Sequence, residues 1–143
     1  MTDKRTVVFG VLLLICISLS FSEAPSQHHP AAAGNSRGRY MVEEVARCWE
    51  CHTPMVGQGS WDRGKWLQGA ALWFRPVQPM SDWAYSAPGI AGLMNFSDEQ
   101  ARTVLEKGIG PNGHAIRLPM HTYRLSPEDS QAVISYLRSA RGR

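Results

Sequence analysis

Cysteine is scarce in this chain: its 143 residues include three, at positions 16, 48 and 51. Cys16 sits in an apolar N-terminal segment, so the other two cannot build the disulfide framework of a small secreted scaffold. A bridge between residues 48 and 51 would close a small, strained loop. Zinc is disfavoured for a related reason, since a structural site wants about four N/S ligands and no second Cys or His pair follows. Net charge is also scarce. Fifteen basic and 12 acidic side chains leave +3, too little to argue for nucleic acid or for a strongly charged partner. Long apolar runs are missing too. The longest, Val7 to Phe21, has 15 residues, short of the ~20 a membrane-spanning helix needs. No convincing strand and no internal repeat is visible.

What is present at the N-terminus fits an export signal. Lys4 and Arg5 precede the apolar run, and Ser20-Phe21-Ser22 supplies small residues before a cleavage point that would leave Glu23 first. Retention of residues 1–22 as an anchor is the alternative. Cleavage removes Lys4, Arg5 and Asp3, leaving 13 basic and 11 acidic side chains and a formal charge of +2. Residues 23–36 (EAPSQHHPAAAGNS) are rich in Pro, Ala, Ser and Gly and read as a flexible leader. The domain is expected over 37–143.

Both remaining cysteines belong to Cys48-Trp49-Glu50-Cys51-His52, a C-x-x-C-H run. This is the handle for covalent attachment of one c-type haem. Two thiols three positions apart can each add to one vinyl group of a porphyrin. The next residue, His52, then lies where its imidazole can bind the iron. A thioredoxin-like pair needs no such histidine and wants a βαβ context that is not visible. Export agrees with haem c, whose attachment takes place outside the inner membrane, and predicts a periplasmic location.

The rest of the chain reads as an all-α fold of about three main helices with long loops. Tyr40, Met41, Val45 and Cys48 recur at helical steps between about Arg37 and Glu50, a helix that would run straight into the motif. Glycine and proline punctuate residues 53–96, which also hold Trp61, Trp66, Trp73 and Trp83. Those tryptophans suit the walls of a haem crevice, with an indole N–H, Arg75 or Lys65 available to a haem propionate. Ser97 with Gln100 forms a capping-box signature, and Gly108 is placed to end that helix. Ser126-Pro127 starts the last helix, whose apolar face is Ala132, Val133, Tyr136, Leu137 and Ala140, with Arg138 and Arg141 suited to its C-terminal dipole.

Candidates for the opposite side of the iron are Met55, Met80, Met94, His114, Met120 and His121. Met120 is favoured because Leu118-Pro119 stiffens the loop just before it; His121 and His114 are the rivals. The segments RGRYMVEEVARCWECHTP, APGIAGLMNFSDEQARTVLEKGIGPNGHAIRLPM and LSPEDSQAVISYLRS together resemble the class I c-type cytochromes over about residues 37–140. The resemblance implies thioether links at Cys48 and Cys51, proximal His52 and distal Met120. It also implies that Tyr136 packs against the first helix. One departure stands out: no proline shortly after the motif is suited to accept the proximal imidazole N–H, since Pro54 is too close.

Two protein ligands leave no vacant position on the iron, which predicts an electron carrier and not an enzyme. The expected partners are redox proteins, met transiently, with Arg63, Lys65, Lys107 and Arg117 available around the exposed haem edge. Two alternatives are a cytochrome subunit of a dehydrogenase or oxidase complex, and a haem enzyme or sensor with an open distal site. Membrane contact is expected only if the N-terminal segment is retained.

Overall fold

The computed structural model describes residues 30–140. The signal, most of the leader and Arg141 lie outside the described residues. Among the described residues, no helix is long and apolar enough to cross a membrane. Helix α1 spans Pro30–Tyr40 and so begins earlier than Arg37. It continues as a wider π turn over Met41–Val45, where Ala46 N–H bonds back to the Met41 carbonyl. A π turn advances the chain by more residues per turn and rotates the faces that follow it. The expected stripe is therefore out of phase. Val42 is fully buried, whereas Tyr40 and Val45 are 58% and 54% exposed.

Nor does this helix run into the motif. Arg47 adopts a left-handed conformation (φ 48°), and Cys48 N–H closes on the Val42 carbonyl. Only then does the short helix α2, Trp49–His52, begin. The turn sets α2 at its own angle to α1, so the spacing of the motif is held by a four-residue helix of its own.

Two minimal antiparallel ladders accompany the helices. Strands β1 (Met55–Val56) and β2 (Ser60–Trp61) pair, as do β3 (Ala70–Ala71) and β4 (Ser86–Ala87). Each strand has two residues, too few to give an alternating sequence signal. The second ladder closes a long excursion, 72–85, on which Trp73, Val77 and Tyr85 are exposed.

Helices α3 (Asp98–Lys107) and α4 (Pro127–Ser139) form where their caps dictate. Ser97 Oγ accepts from Gln100 N–H at 3.1 Å, and the Gln100 side chain accepts from Ser97 N–H at 2.9 Å. At the other end Gly108 takes φ 69°, a left-handed position that costs glycine little. Ser126 Oγ caps α4 through Asp129 N–H at 3.1 Å, with Pro127 in the first turn.

The core packs α4 and Val42 of the π turn against Trp66, Leu67, Leu93 and Ala101. Ala132, Val133, Tyr136, Leu137 and Ala140 are buried, as the apolar face of α4 requires. Tyr136 does pack against α1, and its hydroxyl donates to the Glu43 carboxylate. Arg138 has a different task from dipole compensation. It donates to the carbonyls of Gly92, Leu93 and Phe96 and to Asp98, tying α4 to the turn that leads into α3.

Candidate haem-binding site

A cleft of about 690 Å³ lies between the motif and the 108–125 loop. That is within the 300–1,000 Å³ range typical of cofactor sites. Cys48, Cys51 and His52 line one side, and Met120 lines the same cleft. Further walls come from Leu72 to Phe74, from Ala84, Ala87, Pro88 and Ile90, from the α3 residues Ala101, Val104 and Leu105, and from Val133 and Leu137 of α4. They are overwhelmingly apolar, which suits a porphyrin.

The electrostatics of the motif argue against thiol redox chemistry. Burial pushes the Cys48 thiol up to about 12 and raises Cys51 as well, against the lowered values of reactive disulfide-exchange pairs. The two thiols are not bridged. His52 is buried, and that desolvation lowers its pKa, opposed by its bond to Pro88. It is therefore held neutral, as an iron ligand must be.

Pro88 fills the gap left by the sequence. Its carbonyl lies 2.7 Å from His52 Nδ1. A carbonyl can only accept, so Nδ1 carries the proton and Nε2 keeps its lone pair for a metal. The proline sits 36 residues downstream, not shortly after the motif. Backbone crossing brings it back: Gly69 N–H donates to the His52 carbonyl at 2.7 Å, and Ile90 and Ala91 N–H both donate to the Leu67 carbonyl. At the crossing Gly89 passes so close to Gln68 that a Cβ on it would stand 2.8 Å from the Gln68 carbonyl oxygen. Thr53 Oγ1 accepts from Leu67 N–H at 3.0 Å and pins the same segment beneath the motif.

Of the six sequence candidates for the opposite position, Met120 and His121 line the cleft and the others do not. Met120 is half-buried and His121 exposed. Met94 is 67% exposed. The loop carrying Met120 is anchored at both ends, by Ile116 N–H on the Gly108 carbonyl and Leu125 N–H on the Leu105 carbonyl. Tyr123, which also faces the cleft, donates to the Ala46 carbonyl at 3.3 Å and joins this loop to the motif side. Burial pushes its hydroxyl pKa to about 12, so it stays a donor.

The tryptophans divide differently from the expectation. Trp73 alone of the four lines the cleft. Trp61 and Trp66 pack on Trp49, at ring separations of 4.7 and 5.8 Å, behind the motif. Trp83 is buried against Phe74 and is the one case, among the described residues, of a buried side-chain polar atom without a partner: its Nε1 has no acceptor. Phe74, on which it packs, lines the cleft, but the Trp83 indole itself does not. Arg75 stacks on Tyr85 and Lys65 faces Asp62, and neither lines the cleft. Arg63 lies over Trp66. Arg117 is the one of the four expected edge cations that lines it.

Two known proteins are similar to this chain. A diheme cytochrome c-type protein of Cereibacter sphaeroides is 30% identical over 113 residues, which cover 75% of this chain and 36% of the relative. The fructose dehydrogenase cytochrome subunit of Gluconobacter japonicus is 30% identical over 117 residues, 73% of this chain and 21% of that protein. These relatives support a cytochrome c family. The chain thus spans about a third and about a fifth of the lengths of the two cytochromes it matches. No protein-family model matches it. The c-type cytochrome SorU from Sinorhizobium meliloti has 20% identity and a TM-score of 0.39, over 78% of this chain and 94% of that one.

Proposed function

We propose that this is an exported monohaem class I c-type cytochrome that carries single electrons between redox proteins. The observation that supports it most is the convergence of Cys48, Cys51, His52 and Met120 on one apolar cleft. In this reading Cys48 and Cys51 would hold the haem by thioethers, and His52 and Met120 would bind its iron. The bound haem supplies the reversible ferrous–ferric couple. The chain fixes both ligands, keeps His52 neutral through burial, and orients it through Pro88. A thioether opposite the histidine raises the potential over that of a two-histidine site. The periplasm, or the outer side of the inner membrane, is the compartment that fits the N-terminal segment.

A second reading makes the chain the cytochrome subunit of a dehydrogenase, not a free shuttle. It is favoured by the fructose dehydrogenase cytochrome subunit among its relatives. The two readings share the site and differ in how long the partner stays.

Visible and near-infrared spectra of the purified protein in both redox states test the site. One c-type haem per chain and a methionine–ferric charge-transfer band are expected. Met120→Ala should abolish the band, lower the potential and open the ferrous iron to carbon monoxide. Fast, complete carbon monoxide binding by the native protein would sink the two-ligand reading. An unchanged potential in Met120→Ala would remove Met120 from the ligand set.

A further inference from the structure

The Met120 loop lies against the 82–84 segment, of which Ala84 lines the cleft, and three hydrogen bonds join them. Ala84 N–H donates to the Leu118 carbonyl at 2.6 Å. Arg117 Nη2 donates to the Trp83 carbonyl at 2.5 Å, and Arg117 Nε to the Asp82 carbonyl at 3.3 Å. On its own side of the gap, the Arg117 carbonyl accepts from Met120 N–H at 3.2 Å. One residue therefore grips the opposite segment with its side chain and the methionine with its backbone.

A solvated surface cation would not look like this. Two donors of the fork, Nε and Nη2, fall on consecutive backbone carbonyls, a placement that uses the planarity of guanidinium. Hydrogen bonds from a charged donor are stronger than neutral ones and cost more to lose. The carbonyls of Asp82 and Trp83 also belong to the segment that buries the Trp83 indole. The same grip thus holds two parts of the cleft wall in register.

We infer that Arg117 is the positioning residue for Met120: by clamping its loop to the carbonyls of Asp82 and Trp83 it keeps the thioether in place. The inference rests on Met120 being the distal ligand, as proposed above. Arg117 touches no reacting atom in this account. It acts through the loop, and its loss lets the loop swing away from the iron.

Three holoprotein variants test it against the native protein. Arg117→Gln removes the charge and the fork, Arg117→Lys keeps the charge but puts its donors on a single nitrogen, and Lys107→Gln removes a positive charge that does not line the cleft. The readouts are the carbon monoxide association rate of the ferrous protein and the urea concentration at which the methionine–ferric band disappears. Arg117→Gln should bind carbon monoxide roughly ten- to a hundredfold faster, the fold-change expected for losing charge-assisted hydrogen bonds. Its band should fade at lower urea than the haem spectrum itself. Arg117→Lys should lie between it and native, and Lys107→Gln should match native.

Equal rates in Arg117→Gln and native overturn the inference. So does an equal gain in Lys107→Gln, which would make the effect one of net charge. Should Arg117→Gln fail to accumulate, Arg117→Lys carries the test alone, and a native rate there overturns it. Failure of the underlying ligand reading has a different signature: the native protein itself lacks the band and binds carbon monoxide at once.

Discussion

His52 depends on a contact made 36 residues away, and that contact depends on a glycine. The Pro88 carbonyl reaches Nδ1 because the next residue, Gly89, passes against Gln68 with no room for a side chain. Alanine there would put Cβ 2.8 Å from a backbone oxygen that cannot move alone. The crossing must open, and the carbonyl beside it must shift from the imidazole. Gly89→Ala should therefore cost about 1–3 kcal/mol of stability, the usual range for overpacking. It should also raise the reduction potential, because a weaker bond to Nδ1–H leaves His52 a poorer donor to ferric iron. Thermal unfolding and a redox titration of the holoprotein check both effects. A variant that melts like native with an unchanged potential would show that the crossing tolerates a methyl group.

Among the helices, the contact between α1 and α4 is the tightest. A Cβ on Gly38 would lie 2.0 Å from the Ala132 carbonyl oxygen and 2.8 Å from Tyr136 Cβ. Helix propensity alone favours alanine over glycine by about 1 kcal/mol. Sterics should reverse that sign. Gly38→Ala is expected to lose about 1–3 kcal/mol in the unfolding of the holoprotein, since α1 must lift from a buried face. Stabilisation by alanine would contradict this packing. Such pairings explain what the sequence made legible and what it did not. The caps at Ser97, Gly108 and Ser126 were readable because each is closed within a few residues by side chains of known habit. The π turn at 41–45 was not, because an apolar stripe is read by assuming 3.6 residues per turn. Val42, the buried residue, was missed in favour of Tyr40 and Val45. Pro88 was missed for a topological reason: only the crossing of Gly69 and Gly89 returns it to the motif, and no local signal reports a crossing.

For the molecule as a whole, the cleft and the core are one apolar assembly. Leu93, Ala101, Val133 and Leu137 belong to the buried core and also line the cleft. Side chains on the walls of so apolar a cleft have no partner atoms on the side that faces it, and so forfeit the contacts that fix a core residue. The apolar walls cannot hold their positions around nothing, and water is a poor filler where polar partners are few. Binding of a cofactor to the folded state alone then supplies much of the fold's stability. A chain denied its haem, as Cys48→Ser/Cys51→Ser expressed without attachment, should keep helical far-ultraviolet dichroism while losing near-ultraviolet signal from its tryptophans. It should bind hydrophobic dye and melt without a cooperative transition, the marks of a loosely packed state. Gly89→Ala and Gly38→Ala would lose their effects in that background, because the contacts they disturb would no longer be fixed. A haem-free chain with a sharp melting transition and full near-ultraviolet dichroism would mean that the walls support themselves, and the cleft would then have to be filled by side chains.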